Sequence, residues 1–305
     1  MLPPTETGNN LLSAGIKCIF RLSDPAPGQP DAPQQSTSIL FTGDGCFISV
    51  FGKSEKKFYA LMQFDFGMAA GEIFTSAGYA RYCEAFSALI KELDILSLPP
   101  GSITIAFLPN RHTLVPGPFY NSETADHCFG LNFKSIDGEI LRSDYIRQAD
   151  AYLVYGVPPV IADVVSENFP GTILKSSTSH ATEWMISATQ VRPAKMMLLD
   201  IHKTRLKIIA CENDNLLFCN DFEIHAAEDI VYCSLFVANQ LGEKESLSVW
   251  ISGNCSHDSR AYQLLRKYFE NVSFVPQPRD ISFSQALQGV TWNEYFTVLN
   301  SALCE

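Results

Sequence analysis

The chain has 305 residues, of which 46% are hydrophobic and 18% charged, and its formal net charge is −11. This length usually exceeds one compact core, so two domains are expected. The negative net charge argues against sequence-independent binding of nucleic acid, which requires clustered Lys and Arg. No apolar run reaches the roughly 18 residues of a membrane span, and the N-terminus lacks a signal-peptide pattern. We therefore expect a cytoplasmic protein without a membrane partner.

The first half of the chain predicts three strands, a helix and a fourth strand. Asp44-Gly45 between two apolar runs indicates a hairpin, because such turns favour residues that tolerate positive φ. Tyr82, Phe86 and Leu89 recur at helical spacing, and Pro99-Pro100-Gly101 would stop that helix. The expected elements are a strand at 16–22, a Pro-rich loop at 23–37, strands at 39–42, 47–51 and 58–66, a helix over 82–93, and a strand at 103–108.

The second half repeats this order. The expected elements are strands at 196–200, 206–210 and 216–224, a helix over 230–241, a strand at 247–251, a helix capped by Ser256 or Asp258, and a strand at 272–275. Residues 40–66 and 198–224 align without a gap, with apolar matches at Leu40/Leu198, Ile48/Leu206, Val50/Ile208 and Phe64/Phe222. Both helices contain Tyr-Cys-x-x-Phe, at 82–86 and 232–236. We interpret these matches as an internal duplication, although hairpins also resemble one another by chance.

Residues 111–192 are extra material in the first half. They suggest a strand at 113–116, a turn-rich stretch near His127, a strand near 151–155, a helix over 160–169 and a strand near 172–174. Pro193 marks the expected boundary between a first lobe, 1–192, and a second lobe, 193–305. A last helix over 292–303 is expected to pack back on the body.

Two β-β-β-α-β-α-β halves of the α/β class, with mixed sheets, resemble the duplicated ribonuclease H-like fold of actin-type ATPases. More narrowly, the chain resembles an uncharacterised bacterial family of unknown function with that fold. The resemblance is carried by the segments Thr-Leu-Val-Pro at 113–116, Tyr-Gly-Val-Pro at 155–158 and Phe-Pro at 169–170. It spans essentially the whole chain. It implies the actin-like fold and no activity, because the family has none assigned.

The resemblance also implies where a nucleotide phosphate would bind. Actin-like ATPases hold phosphate between two hairpins of the type Asp-x-Gly followed by Thr, Ser or Lys. In the second half the matching residues are Asp200, His202, Lys203 and Thr204, with His in the Gly position. Asp200 can also be explained as a solvated residue at a strand end, and this is the interpretation we favour.

The first half matches the phosphate hairpin less well. Thr42 stands in place of the Asp and Asp44 in place of the Gly, while Gly43 and Gly45 keep a flexible loop that also suits a plain turn. The adenosine-side signal of such proteins is a Gly-rich turn that opens a helix after strand four. The segment Ser252-Gly253-Asn254 fits that position and would place a helix N-terminus near an anion. An ordinary strand-to-helix turn would use the same residues.

Other chemistry has little support in the sequence. Asp200, Asp221 and Glu223 lie on adjacent strands, but a two-metal nuclease needs a further acid on strand four. The nine cysteines are scattered without a Cys-x-x-Cys pair, so we expect buried, reduced thiols. The histidines lack metal-site spacing and are expected to be surface or locally bonded residues: His112, His127, His180, His225 and His257. No serine-hydrolase elbow or P-loop occurs.

Two hypotheses follow from the sequence. The first is a non-catalytic scaffold or regulatory protein of actin-like fold, with a protein partner and a degenerate cleft that binds a nucleotide or small anion weakly. The alternative is an ATP-dependent phosphotransferase with a divergent phosphate loop that uses Asp200, Thr204 and ATP with magnesium.

Overall fold

The fold was analysed in a computed structural model that describes residues 15–24, 35–69, 71–93, 103–191, 195–242 and 247–304. The loop predicted at 23–37, the helix stop at 99–101 and the boundary at Pro193 therefore lie largely or wholly outside the described residues. The division of the chain into lobes 1–192 and 193–305 remains a prediction.

Fifteen strands and seven α-helices are found in these ranges. The strands are β1 (Lys17–Ser23), β2 (Gln35–Phe41), β3 (Gly45–Gly52), β4 (Lys57–Asp65), β5 (Ile103–Phe107), β6 (His112–Pro116), β7 (Ile140–Ile146), β8 (Ala151–Val157), β9 (Leu174–Ser176), β10 (Lys195–Ile201), β11 (Arg205–Glu212), β12 (Asn215–Glu223), β13 (Ser248–Gly253), β14 (Asn271–Phe274) and β15 (Ser282–Phe283). The helices are α1 (Ser76–Glu92), α2 (Ala125–Gly130), α3 (Pro159–Asn168), α4 (Ser177–Val191), α5 (Ala227–Gln240), α6 (Arg260–Tyr268) and α7 (Phe296–Leu303).

The two large sheets have the same strand order, which confirms the duplicated fold. The first contains β4-β3-β2-β5-β9 and the second β12-β11-β10-β13-β14. In each unit the first three strands are antiparallel, and the fourth runs parallel to the first. The first sheet also carries β1 and β15 on β4, and the extra material forms a small separate sheet, β6-β8-β7. Both lobes are therefore mixed sheets of one topology.

The gapless alignment of the halves is wrong by two residues in the first hairpin. Ile201 pairs with Leu206 at the β10–β11 turn, as Phe41 pairs with Cys46 at the β2–β3 turn. Leu206 therefore corresponds to Cys46 and not to Ile48. The two extra residues of the first half lie in the β3–β4 turn, which spans 53–56, whereas the β11–β12 turn spans only 213–214. A shift of two residues keeps every side chain on its own face, which is why the apolar pattern concealed it.

The shared Tyr-Cys-x-x-Phe motif is likewise not a structural equivalence. Tyr82 and Phe86 are fully buried on α1, whereas Tyr232 and Phe236 are exposed on α5. The buried face of α5 contains Ile230, Cys233, Ser234 and Val237 instead. The buried residues Tyr82 and Phe86 of α1 correspond to Ile230 and Ser234 of α5. The motif in α5 begins two residues after Ile230, so its aromatic side chains lie on the outer side of the helix.

Helices α4 and α7 pack between the two sheets. Helix α7 contacts β2, β3 and β5 of the first sheet as well as β13 of the second, and α4 contacts α7, β10 and β11. This arrangement confirms that the last helix returns to the body. The main core is therefore continuous between the sheets, while a second core lies under α5 and α6 on the far side of the second sheet.

Three local predictions are corrected in the inserted region and in α6. The stretch near His127 forms helix α2 rather than turns alone. Strand β7 and helix α4 have no counterpart in the predicted elements. Helix α6 begins at Arg260, and its N-cap is Ser259, whose hydroxyl accepts a hydrogen bond from the Tyr262 N–H, rather than Ser256 or Asp258.

Candidate functional site

A cleft of about 630 Å³ lies between the β2–β3 and β10–β11 hairpins. Seven of the ten predicted site residues line it: Gly43, Asp44, His202, Lys203, Thr204, Gly253 and Asn254. The other three lie behind the cleft surface, where they are buried: Gly45, Asp200 and Ser252. The duplicated topology thus brings the candidate residues of both hairpins to one place.

Asp200 is fully buried, so its interpretation as a solvated strand-end residue is wrong. The protein itself satisfies both carboxylate oxygens. Oδ1 accepts a hydrogen bond of 2.8 Å from the Ser252 hydroxyl, and Oδ2 accepts one of 2.8 Å from the Thr297 hydroxyl. The His202 Nε2 lies 2.9 Å from the same Oδ2. Strands β10 and β13 and helix α7 therefore meet at this carboxylate.

The Asp200–His202 pair is a charged pair at the cleft wall. Burial favours the neutral acid, but the charge of His202 and the three hydrogen bonds outweigh it and hold the pKa of Asp200 well below its usual range. Burial opposes protonation of His202, but the Asp200 charge outweighs that effect and raises the pKa of the imidazole. The His202 side chain is 28% exposed and lines the cleft.

These residues do not fit a magnesium ion at Asp200. Magnesium takes carboxylate oxygens that are free to coordinate, whereas both oxygens of Asp200 are engaged by protein groups. Asp44 is exposed, and its Oδ1 accepts a hydrogen bond of 2.8 Å from the Thr42 hydroxyl. Within the part of the chain that the structure describes, no group of three or more His, Cys, Asp or Glu residues is arranged to hold a metal ion.

The corrected register changes which residues correspond between the two hairpins. Asp200 pairs with Ser252 on β13, as Leu40 pairs with Ala106 on β5. Leu40, and not Thr42, therefore stands in the position of Asp200. By the same alignment Thr42, and not Asp44, corresponds to His202. The first hairpin contributes no buried carboxylate to the cleft.

The two glycines of the first hairpin have different roles. A Cβ atom on Gly45 would lie 2.0 Å from the Phe64 carbonyl oxygen, so strand packing requires glycine there. A Cβ atom on Gly43 would meet nothing within 4 Å. Neither residue has a positive φ, so the expected reason for glycine in this turn does not apply. Gly43 leaves its backbone open to the cleft.

The segment Ser252-Gly253-Asn254 ends strand β13 but does not open a helix. Gly253 has φ +80°, and a Cβ atom would lie 2.1 Å from the Ile201 carbonyl oxygen. Its N–H donates to the Asn293 carbonyl at 2.7 Å, and the Asn254 N–H donates to Ile201 at 2.7 Å. Helix α6 begins at Arg260, so no helix N-terminus points into the cleft from this segment. The glycine is explained by packing alone.

The second hairpin presents two cationic side chains to the cleft. Lys203 is exposed and Arg205 partly buried, and both line the cavity. Neither side chain makes a hydrogen bond or an ion pair with any residue in the described ranges. These two side chains make this part of the cleft wall cationic, which suits an anionic ligand.

The sequence did not reveal a largely buried polar network at the cleft wall. The Lys207 Nζ donates to Asp221 Oδ1 at 2.8 Å, and both side chains are buried. His112 of the small sheet lies beside them, with Nδ1 3.6 Å from Asp221 Oδ2, and burial lowers its pKa to about 4. The polar residues Lys207 and Asp221 within two predicted strands were the available signal. Nothing in the sequence indicated that His112, from the other half of the chain, would lie beside them.

The remaining histidine and cysteine predictions have mixed outcomes. His112 and His180 are buried, so the surface interpretation is wrong for both, and the Nδ1 of His180 has no hydrogen-bond partner among the described residues. All nine cysteines are free thiols that are buried or partly buried. Asp221 is paired with Lys207, and Glu223 is exposed beside His225, so they do not join Asp200 in an acidic cluster. None of the helices in the described ranges is both long and apolar enough to cross a bilayer.

Comparison with solved structures supports the fold. A Bacteroides thetaiotaomicron protein with an actin-like ATPase fold and unknown function is 19% identical, with a TM-score of 0.71 over 91% of this chain and 100% of that one. The PilM–PilN type IV pilus biogenesis complex contains a chain that is 13% identical, with a TM-score of 0.52 over 88% of this chain and 97% of that one.

The family is established by a match to a family model. None of the curated proteins matches the chain. Residues 29–272 match the family described as "Protein of unknown function (DUF3822)", and these residues include both hairpins, the small sheet and helices α1 to α6. The chain therefore belongs to the DUF3822 family of proteins of unknown function and has the actin-like ATPase fold.

Proposed function

We propose that this protein is a non-catalytic scaffold or regulatory protein whose cleft binds an anionic group, such as a nucleotide phosphate, weakly and without a metal ion. The observation that carries the proposal is the engagement of both Asp200 oxygens by Ser252, Thr297 and His202. Because this carboxylate is also fully buried, neither of its oxygens is exposed to a metal-bound water in the cleft. The acid that an actin-like ATPase would use is instead part of the protein's own packing.

The anion specificity is inferred from the second hairpin. Lys203 and Arg205 place positive charge at the cleft wall, and Thr204 adds an exposed hydroxyl. His202 lines the same wall and is paired with Asp200. On the opposite wall the open backbone at Gly43 leaves space for close approach. The exposed Asp44 carboxylate stands beside it and disfavours a second phosphate there. Weak binding of one phosphate group at the second hairpin is the expected result.

A role in protein assembly is consistent with this fold. A chain with a TM-score of 0.52 to this one is part of the PilM–PilN type IV pilus biogenesis complex. The fold thus accommodates partnership with another protein. For the present chain, a protein partner is part of our proposal.

The alternative is an ATP-dependent phosphotransferase that uses Asp200 and Thr204. One observation favours it: Thr204 lines the cleft directly beside the two cationic residues. Release of inorganic phosphate from ATP separates the two proposals. The scaffold proposal predicts no turnover above a buffer control at millimolar ATP and magnesium. Turnover that Thr204→Val abolishes would establish the enzyme instead.

The anion site is tested by calorimetry with ATP in the presence of a chelator. We expect weak binding that Lys203→Ala/Arg205→Ala reduces at least tenfold, which corresponds to about 1.4 kcal/mol. Lys267→Ala, on an exposed helix outside the cleft, is the matched control and should change nothing. Binding that is equal in the wild type and the cleft variant would contradict the assignment of these residues.

A further inference from the structure

Helix α5 carries two large aromatic side chains on its outer face. Tyr232 is 71% exposed and Phe236 is 47% exposed. A spacing of four residues places both on one side of the helix, opposite the buried Ile230 and Val237. Neighbouring exposed aromatic residues of this size mark interaction surfaces more often than isolated ones do. The duplication offers no internal role for them, because Tyr82 and Phe86 are turned inward on α1.

Helix α6 extends this surface. Glu228 in the first turn of α5 forms an ion pair with Arg260 in the first turn of α6, so the two helices begin side by side. They also run in the same direction, because each connects strands that share one direction, β12 to β13 and β13 to β14. Tyr268 is 48% exposed and lies eight residues after Arg260, as Phe236 lies eight residues after Glu228. At 1.5 Å per residue, both rings lie about 12 Å along their helices from the ion pair.

The charges around the aromatic residues are divided between the two ends of the helix pair. The starting end carries four acidic side chains, Glu223, Glu228, Asp229 and Asp258, against one exposed cation, Arg260. The finishing end of α6 carries the exposed cations Arg266 and Lys267 against one exposed acid, Glu270. An antiparallel copy of this surface would place each acidic end against a basic end. A surface of this kind complements itself about a two-fold axis.

We propose that the α5–α6 surface is a dimer interface between two copies of this chain. Tyr232 lies near its centre and Phe236 towards its finishing end, and Glu228 of one copy faces Lys267 of the other. The chain's net charge of −11 opposes unspecific association of two copies, so a contact between them depends on such a local match of charge. The two-fold contact is closed at two copies and does not extend into a polymer.

Sedimentation velocity of the full chain over the micromolar range tests the interface. The expected result is a reversible dimer whose mass stops at two copies. Tyr232→Gln/Phe236→Gln should give a monomer with an unchanged circular-dichroism spectrum. Phe119→Gln, at a residue that is 76% exposed in another part of the molecule, is the matched control and should still dimerise. A wild type that stays monomeric at every concentration, or that grows beyond two copies, would overturn the proposal.

A charge exchange tests the two-fold geometry. Lys267→Glu should weaken the dimer about tenfold by placing like charges together, which is about 1.4 kcal/mol. Combining it with Glu228→Lys should restore the wild-type dissociation constant, because the two positions face each other across the axis. A double variant as weak as Lys267→Glu alone, or a dimer that Tyr232→Gln/Phe236→Gln leaves intact, would exclude this surface.

Discussion

Asp200 is the residue on which the cleft depends, because three elements converge on its carboxylate. Ser252 comes from β13, Thr297 from α7 and His202 from the turn after β10. A buried carboxylate is costly unless it is paired and hydrogen-bonded. The charge therefore stabilises the junction of these elements only while all of its partners are present.

Removal of one hydroxyl partner should destabilise the fold. Ser252→Ala or Thr297→Val leaves a buried charged acceptor without one of its donors, and we expect each to lower the free energy of unfolding by about 1.5 to 3 kcal/mol. Urea denaturation measures the change. Thr204→Val, on the exposed tip of the same hairpin, should stay within about 0.5 kcal/mol. Equal stability of all three variants would contradict the buried network.

Two buried histidines should make the protein sensitive to acid. Burial lowers the pKa of His112 and His180 to about 4, from an ordinary value of 6.5. Because the unfolded chain binds these protons first, stability should be complete above pH 6.5 and should fall as the pH drops towards 4. A shift of this size corresponds to about 3 kcal/mol for each residue.

Variants without these imidazoles check the acid sensitivity. Urea denaturation of His112→Gln/His180→Gln between pH 7 and 4 should give a flatter dependence of stability on pH than the wild type. His202 does not share this trend, because the pKa of its imidazole is raised and its contribution is lost as the pH rises instead. His257→Gln, at an exposed residue, is the control. Parallel curves for wild type and double variant would contradict the assignment.

At the scale of elements, the strand and hairpin predictions depended on signals that the sequence carries openly. Alternating apolar runs and a turn between them are sufficient to locate β2, β3, β10 and β11. Helix α4 could not be found in this way, because its buried positions include Ser177, Thr178, Ser179 and Thr182. A helix that packs between two sheets through small polar residues has no apolar stripe to recognise.

Short motif matches do not determine which side of a helix or which register of a strand is buried. Tyr-Cys-x-x-Phe fits either side of an amphipathic helix, and its orientation depends on which neighbouring residues pack on the sheet. Likewise, a two-residue shift preserves the alternation of a strand, so the length of the β3–β4 turn could not be deduced from the apolar pattern. Both errors concern register, which tertiary packing decides.

The two glycines at the cleft provide a matched pair of substitutions. Gly253→Ala must adopt φ +80° and place its Cβ against the Ile201 carbonyl, so we expect a loss of at least about 3 kcal/mol in the free energy of unfolding. Gly43→Ala meets no atom within 4 Å and should change stability by less than about 0.5 kcal/mol. Thermal and urea denaturation compare the two. Similar stabilities would show that Gly253 does not close the β13 turn as described.

At the scale of the whole molecule, the duplication explains the position of the cleft. Equal sheet topologies bring the first hairpins of both halves to one cavity, and the sequence was sufficient to predict this. The state of Asp200 was not predictable, because Thr297 is 97 residues away in the chain and nothing in its surroundings marks it as a partner. Because such contacts between distant residues decide the chemistry of a site, the fold alone does not predict its function.

The central claim is that the protein itself, and not a metal ion, satisfies the Asp200 carboxylate. Isothermal titration with ATP, once with magnesium and once with chelator, tests it most directly. We predict dissociation constants that agree within a factor of two, since the buried Asp200 offers the metal no accessible carboxylate oxygen. Tightening by magnesium of tenfold or more, lost in the Asp200→Asn variant, would contradict it.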